Sequence, residues 1–375
     1  MMKLFGRIIN IIRDIFNNLL IRCLSRPRKQ IEGYNVFGYF SKYMGQAEVA
    51  RAFTDSLIKG GEDIALFDFY SGTHNTITRK PDLKYRKNYF RSFKYRSNVF
   101  FIDLKVLKRL RNQIPKLFQN KHNIVAFWWE FESGFEDRIP VLNEFDEVFV
   151  FSDFIKDILN AIECKQFEIT KIDYPFYRNW EIEEESSIVR SRYNLDEKFS
   201  FFFNFDFYSS YNRKNPEAIL KALFEEFPDE ENVVFVVKTS NNKGFEDKEK
   251  RFTSLVQDYG LGERVIIINN QLTRNAFMTL LNAMDCYISL HRGEGLGLGI
   301  LEAFALNKPV IATNYGGNTG YMNNSLGYPI PFKLVPANDD YIVYNKVKEW
   351  AEPDNISARK KMREVYRNKS KNEYV

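Results

Sequence analysis

The sequence predicts an α/β protein with two doubly wound parallel sheets facing across a cleft. Three observations carry that expectation. The chain has 375 residues, which exceeds one ordinary core and suits two domains of roughly 150–200 residues. From Tyr34 onward, short apolar runs alternate with amphipathic helical stretches, the pattern of repeated βα units. Within residues 285–320, two apolar strands flank one helix, and a βαβ unit of that kind demands a parallel sheet.

Residues 1–30 stand apart. Apolar side chains from Leu4 to Leu24 recur at helical spacing, and Lys3, Arg7, Arg22 and Arg26 share the opposite face. No run approaches the roughly 20 apolar residues of a membrane span, and no small-residue cleavage site follows. The expectation is a basic helix whose residues 1–26 lie on an anionic inner leaflet. The alternative is a helix docked on the protein itself.

A first Rossmann-like domain is expected over 31–180. Its strands are Tyr34–Phe40, Ile64–Phe69, Val99–Ile102, Ile124–Trp128 and Glu147–Phe151. Helices are expected at Ala47–Ile58, stopped by Gly60-Gly61, and at Asp153–Ala161, capped by Ser152. Residues 71–97 read as a polar, basic excursion. The charged stretch 181–197 reads as a linker. The second Rossmann-like domain, 198–340, opens with strand Phe199–Phe205. A helix after Pro216, strand Val233–Lys238, a helix over 247–259 and strand Val265–Asn269 follow. Residues 341–375 read as helices interrupted at Pro353, with a return towards the first domain as one possible course.

The βαβ unit of the second domain is the most informative stretch. Strand Cys286–Leu290 runs into a loop with glycines at 293, 295, 297 and 299, then helix Leu298–Leu306, strand Pro309–Thr313 and the small-residue loop Tyr315–Gly320. Ligands of parallel sheets sit beyond the carboxyl ends of the strands, where both loops fall. The helix is apolar almost all round yet contains Glu302. A buried carboxylate is costly unless hydrogen-bonded, and vicinal sugar hydroxyls are a natural partner. Loop amides at a helix N-terminus suit a phosphate. Glu294, inside the glycine loop, adds a second acid, and the combination points to a nucleotide sugar.

Composition excludes other classes. Hydrophobic content of 44% and charge of 27% are those of a globular protein. A net charge of +5, spread along the chain, does not point to nucleic acid. Three separated cysteines build neither a disulfide framework nor a metal site, and a reducing cytoplasm is the simplest compartment. No Asp-x-Asp occurs, so no metal and no cofactor beyond the substrate nucleotide is expected. The glycines do not make a dinucleotide fingerprint, because position 298 is Leu.

Glu294 and Glu302 form E-x7-E inside SLHRGEGLGLGILEAFALNKPVIAT. This stretch resembles the retaining glycosyltransferases of family 4, which have the GT-B fold. GYFSKYMGQAEVAR, FWWEFE, DEVFVFSDFIKD, RKNPEAI, VVFVVKT and EWAEPD look like the same family, especially its bacterial surface-polysaccharide and mannosyltransferase-like members. The resemblance implies that Glu302 holds the donor ribose and Glu294 the transferred sugar, with Gly295, Leu296 and Gly297 near sugar and phosphates. Lys214 matches the family's diphosphate lysine, beside Arg213, and Lys238 is a second catalytic cation. A leaving nucleoside diphosphate gains negative charge and requires such cations. His291, Arg292, Gly317 and Asn318 fall at the same ligand face, as does Gly45 in the first domain. Trp129 and Glu130, with Glu48, are acceptor candidates, since aromatic faces and carboxylates suit sugars.

The match has departures. A family arginine before the lysine is replaced by Phe205-Asp206-Phe207, and neither His74 nor His122 sits where the family places a first-domain histidine. The expected activity is hexose transfer from GDP-mannose or a UDP-sugar to a lipid-linked or oligosaccharide acceptor, in the cytoplasm and peripherally on the cytoplasmic face of the membrane. A nucleotide-sugar epimerase, or a degenerate partner of an active transferase, is the alternative.

Overall fold

The computed structural model describes residues 31–69, 85–89, 93–174, 180–240, 243–323, 325–338 and 341–370. The basic stretch 1–30, the excursion around His74 and residues 371–375 lie outside them. The chain divides into two compact units, 1–128 with 135–177, and 129–134 with 178–375.

In the first unit, β1 (Ile31–Gly38), β2 (Ile64–Asp68), β3 (Tyr95–Phe101), β4 (His122–Ala126), β5 (Glu147–Val150) and β6 (Glu168–Lys171) form one parallel sheet. The order is β2-β1-β3-β4-β5-β6, so the winding reverses between β1 and β3. Helices α1 (Gly45–Lys59), α2 (Leu104–Gln113), α3 (Ile139–Leu142) and α4 (Asp153–Asn160) connect the strands. Ser152 caps α4 as expected, its hydroxyl accepting from the Ile155 amide. Residues Val36, Phe37, Val99, Phe100 and Val125 are wholly buried, as strands covered on both faces must be. Three buried asparagines interrupt this apolar surface. Asn35 donates to the Asn98 side chain (2.9 Å), Asn98 to the Asn123 side chain (2.9 Å), and Asn123 to the Phe118 carbonyl (2.9 Å).

In the second unit, β7 (Phe199–Asp206), β8 (Val233–Ser240), β9 (Val265–Ile268), β10 (Cys286–Ser289), β11 (Val310–Thr313) and β12 (Gly327–Ile330) form the other parallel sheet, in the order β12-β11-β10-β7-β8-β9. Counted from β7 this is the 3-2-1-4-5-6 order of dinucleotide-binding folds, and its switch point lies between β7 and β10. The helices are α5 (Ser186–Arg192), α6 (Tyr211–Lys214), α7 (Pro216–Glu226), α8 (Glu246–Asp258), α9 (Arg274–Asn282), α10 (Leu298–Ala305) and α11 (Asn355–Ser370).

Three segments differ from expectation. Residues 181–197 are not a bare linker. The Glu183 amide donates to the Thr279 hydroxyl (2.8 Å), and Arg190 of α5 reaches the Ala283 carbonyl (2.9 Å) and Asp285 (3.2 Å), strapping the segment along α9. Residues 349–353 form strand β14 (Glu349–Pro353), antiparallel to β13 (Phe332–Pro336), where helix was expected. The strand pairs along its whole length, from Phe332 opposite Pro353 to Pro336 opposite Glu349. The third is the tail. α11 stays in its own unit, packing on α7 through Arg363–Glu226 (2.9 Å) and Arg359–Glu226 (3.3 Å).

Candidate active site

The site is assembled at the switch point of the second sheet. Chain leaving β7 is turned by two residues with left-handed backbones, Ser210 (φ +64°) and Asn215 (φ +53°), which bracket the single turn α6. Such positions are strained for non-glycine residues and need local compensation. Here the Ser210 hydroxyl accepts from the Arg213 amide (3.2 Å), and the Asn215 side chain donates to the Leu290 carbonyl at the end of β10 (2.9 Å). The turn thereby presents Arg213 and Lys214 to the glycine loop.

Both cations meet Glu294. Lys214 Nζ lies 2.6 Å from its Oε2 and Arg213 Nη1 3.2 Å. Burial alone would raise the Glu294 carboxyl. Lys214, Arg213 and His291 outweigh it, and the pKa falls to about 2. Burial lowers the Lys214 ammonium, against the opposing pull of Glu294. Arg213 is almost fully buried and also donates to the carbonyls of Gly293 (2.7 Å) and Ser209 (2.8 Å), so it shapes the loop as well as charging it.

The loop's glycines are explained by close packing. A Cβ on Gly295 would stand 2.9 Å from the Trp129 carbonyl oxygen, and one on Gly317 would fall on the Gly295 carbonyl. The loops after β10 and β11 are thus pressed together, with the Gly317 amide donating to the Glu294 carbonyl (2.7 Å). Leu296 and Asn318 are buried within this contact. The Asn318 side-chain nitrogen donates to the Thr313 carbonyl (2.8 Å), which makes it a loop brace. Gly297, at φ +78°, is the left-handed cap that starts α10.

Glu302 is buried one turn into α10, as the sequence reading required, but its partner is protein. The carboxylate is ion-paired with Arg274, the first residue of α9. A cation at a helix N-terminus opposes the helix dipole, so this arginine is held there by Glu302 against a local penalty. Sequence reasoning missed Arg274, because nothing in a 28-residue separation signals the contact. Lys238, at the carboxyl end of β8, is buried and donates to the Thr239 carbonyl (2.7 Å). Burial pushes its pKa down to about 8, with Asp206 opposing.

Other expected site residues have structural work. His291 is solvent-free, with Nδ1 3.0 Å from the Ser289 hydroxyl and Nε2 3.0 Å from the Tyr315 carbonyl. Burial lowers its pKa, and the ring ties β10 to the loop after β11. Arg292 is engaged by protein groups. Its guanidinium bonds Glu352 (2.5 and 3.1 Å) and the Asn212 carbonyl (2.9 Å), and lies 4.8 Å from the Trp350 ring centre. It anchors β14 to the glycine loop and to α6. Trp129 is buried, its indole donating to the Ser133 carbonyl (2.9 Å) and its ring against Phe131 and Tyr344, so it offers no face for a sugar. Glu130, next to it, approaches Arg213 at 4.0 Å.

In the first unit, the loop after β1 is buried from Tyr39 to Lys42. Arg51 of α1 holds it through the Phe40 carbonyl (2.7 Å) and the Lys42 carbonyl (3.2 Å), and is itself ion-paired with Glu48. Glu48 therefore orients Arg51, while Gly45 begins α1 at the exposed end of the loop. His122 pairs with Glu147 (2.9 Å) at the amino end of β4, away from the ligand edge of the sheet. Among the described residues, no group of three or more His, Cys, Asp or Glu is arranged to hold a metal.

Two doubly wound parallel sheets, the second with paired cations and carboxylates at its switch point, are the architecture of the GT-B glycosyltransferases. Residues 196–368 match the family described as glycosyl transferases group 1. That match lies within the second unit and spans less than half of the chain, and together with the fold it supports a glycosyltransferase. No curated protein matches the sequence. Solved structures are similar over most of the chain. HepE of Anabaena, in complex with UDP and glucose, is 13% identical with a TM-score of 0.58, over 90% of this chain and 100% of that one. Sucrose-phosphate synthase of Thermosynechococcus elongatus is 17% identical at 0.59, over 80% and 86%. A glycosyltransferase of Rickettsia africae is 16% identical at 0.58, over 91% and 89%. At these identities the likeness is one of fold.

Proposed function

We propose that the chain is a retaining glycosyltransferase of family 4 type, moving a hexose from a nucleoside diphosphate sugar to a hydroxyl of a lipid-linked or oligosaccharide acceptor. The observation that carries this reading is the Lys214–Glu294 pair (2.6 Å), set beside the glycine loop at the switch point. An ionised Glu294 accepts hydrogen bonds from sugar hydroxyls and keeps Lys214 charged in a buried setting. Lys214 and Arg213 stabilise the charge that grows on the departing diphosphate. In a front-face substitution the acceptor hydroxyl adds to the anomeric carbon as the bond to the diphosphate oxygen breaks, and that oxygen takes the hydroxyl proton. Glu302 holds the ribose and shares its carboxylate with Arg274.

A UDP-sugar is the first donor to test, supported by the UDP and glucose bound to HepE, and GDP-mannose is the second. Work at the cytoplasmic face of a membrane is supported by the basic stretch 1–26 alone. Among the described residues no helix is long and apolar enough to cross a bilayer. The test is release of nucleoside diphosphate by the purified protein with UDP- and GDP-hexoses and glycan acceptors. Lys214→Ala is expected to lower kcat about 10²–10³-fold, the usual effect of losing one charge-stabilising group. Turnover equal to wild type in Lys214→Ala and Glu294→Ala would refute the assignment, and donor conversion without transfer would instead indicate an epimerase.

A further inference from the structure

We propose that Glu130 is a second carboxylate of the donor-sugar site, reading hydroxyls of the transferred hexose from the opposite side to Glu294. This rests on the glycosyl-transfer reading above. Glu130 belongs to residues 129–134, which form part of the second unit although the sequence places them directly after β4. Its backbone is seated on the glycine loop. A Cβ on Gly293 would stand 2.7 Å from the Glu130 carbonyl oxygen, so the loop can approach this segment only because it has no side chain there. The segment is packed in place, with Trp129 and Phe131 buried against Tyr344 at ring separations of 5.5 and 5.1 Å.

Arg213 faces both carboxylates. Arg213 Nη1 bonds Glu294 at 3.2 Å, and its Nη2 faces Glu130 at 4.0 Å. One buried guanidinium therefore stands between two carboxylates. The Tyr344 hydroxyl, whose pKa burial drives well upward, shares a hydrogen bond with Glu130. A carboxylate accepts at about four positions, and 4.0 Å is beyond hydrogen-bond length, so Glu130 keeps directions for hydroxyl donors. Its side chain is 20% exposed, enough to meet a ligand. Two carboxylates repel a diphosphate but suit the polyol end of a donor, which places Glu130 at the sugar.

The experiment compares wild type with Glu130→Gln and Glu130→Ala. Affinities are measured for the free nucleoside diphosphate and for its hexose conjugate, alongside kcat/KM and thermal stability. The expected result is nucleotide affinity within about twofold of wild type, with hexose-conjugate kcat/KM lowered about 10–100-fold, the scale of hydrogen bonds to a charged group. Discrimination between donors epimeric or deoxygenated on the ring should also shrink. Equal losses for nucleotide and conjugate would reduce Glu130 to a brace for Arg213 and overturn the proposal, as would unchanged selectivity. A wild-type protein that binds no nucleoside diphosphate would overturn the underlying function as well, so the two failures are distinct.

Discussion

Glu294→Gln should change stability in a pH-dependent way whose size the site itself sets. The folded-state pKa is about 2, against 4.5 for the solvent-exposed group in the unfolded chain. At about 1.4 kcal/mol per unit, ionised Glu294 contributes about 3 kcal/mol at neutral pH. The folded pKa is depressed, so the contribution is present above pH 4.5 and disappears as pH falls through 2. At pH 3 about 1 kcal/mol remains. Lys214 works the other way, because burial lowers its pKa and part of the pair's attraction offsets that penalty. The Gln variant leaves Arg213 and Lys214 facing a neutral amide, and its deficit should therefore be largest near pH 6. Urea unfolding of both proteins between pH 7 and pH 3, without ligand, reads the difference directly. A gap of the same size at every pH would refute the reasoning.

Two further outcomes follow from the same sheet. Arg274→Ala removes one ion-pair partner of a nearly buried carboxylate, and breaking a fully buried pair costs about 3–5 kcal/mol as an upper bound, so unfolding should occur at lower denaturant and the donor KM should rise; an unchanged midpoint would remove Arg274 from the account. Lys238 is charged below about pH 8 and neutral above it, so nucleotide affinity should decline as pH rises through that value in calorimetric titrations, and the decline should vanish in Lys238→Met.

Much of this site could be read from spacing. Alternating apolar runs located five of the six strands in each sheet and missed the short edge strands β6 and β12, while the E-x7-E spacing drew attention to Glu294 in the glycine loop and Glu302 in the apolar helix. What spacing could not supply was partners remote in the chain. The burial of Glu302 called for a counter-group, and sugar hydroxyls are one chemical answer; Arg274 is another, visible only when α9 is packed beside α10. The acidic run around 181–185 looked solvated because its side chains are, yet its amides dock on Asn275 and Thr279. Arg292 and Arg213 were indistinguishable in sequence as loop cations. Glu352, sixty residues later, takes the first, while Glu294 and the Gly293 carbonyl take the second.

The asparagine row of the first sheet bears on how that sheet finds its alignment. Parallel strands rich in Val and Phe can slide by two residues and still present the same faces to the core, so apolar contacts distinguish such slips poorly. A relay of amides running Asn35 to Asn98 to Asn123 admits no slip, since each shift would strand donors and acceptors in a dry interior at about 1–3 kcal/mol apiece. The relay also has a direction, ending on the Phe118 carbonyl, so β1, β3 and β4 gain their full pairing only together. Substituting Asn98 by Leu would free the two flanking strands to settle independently, and the expected sign is a chain that collapses readily but loses its single alignment.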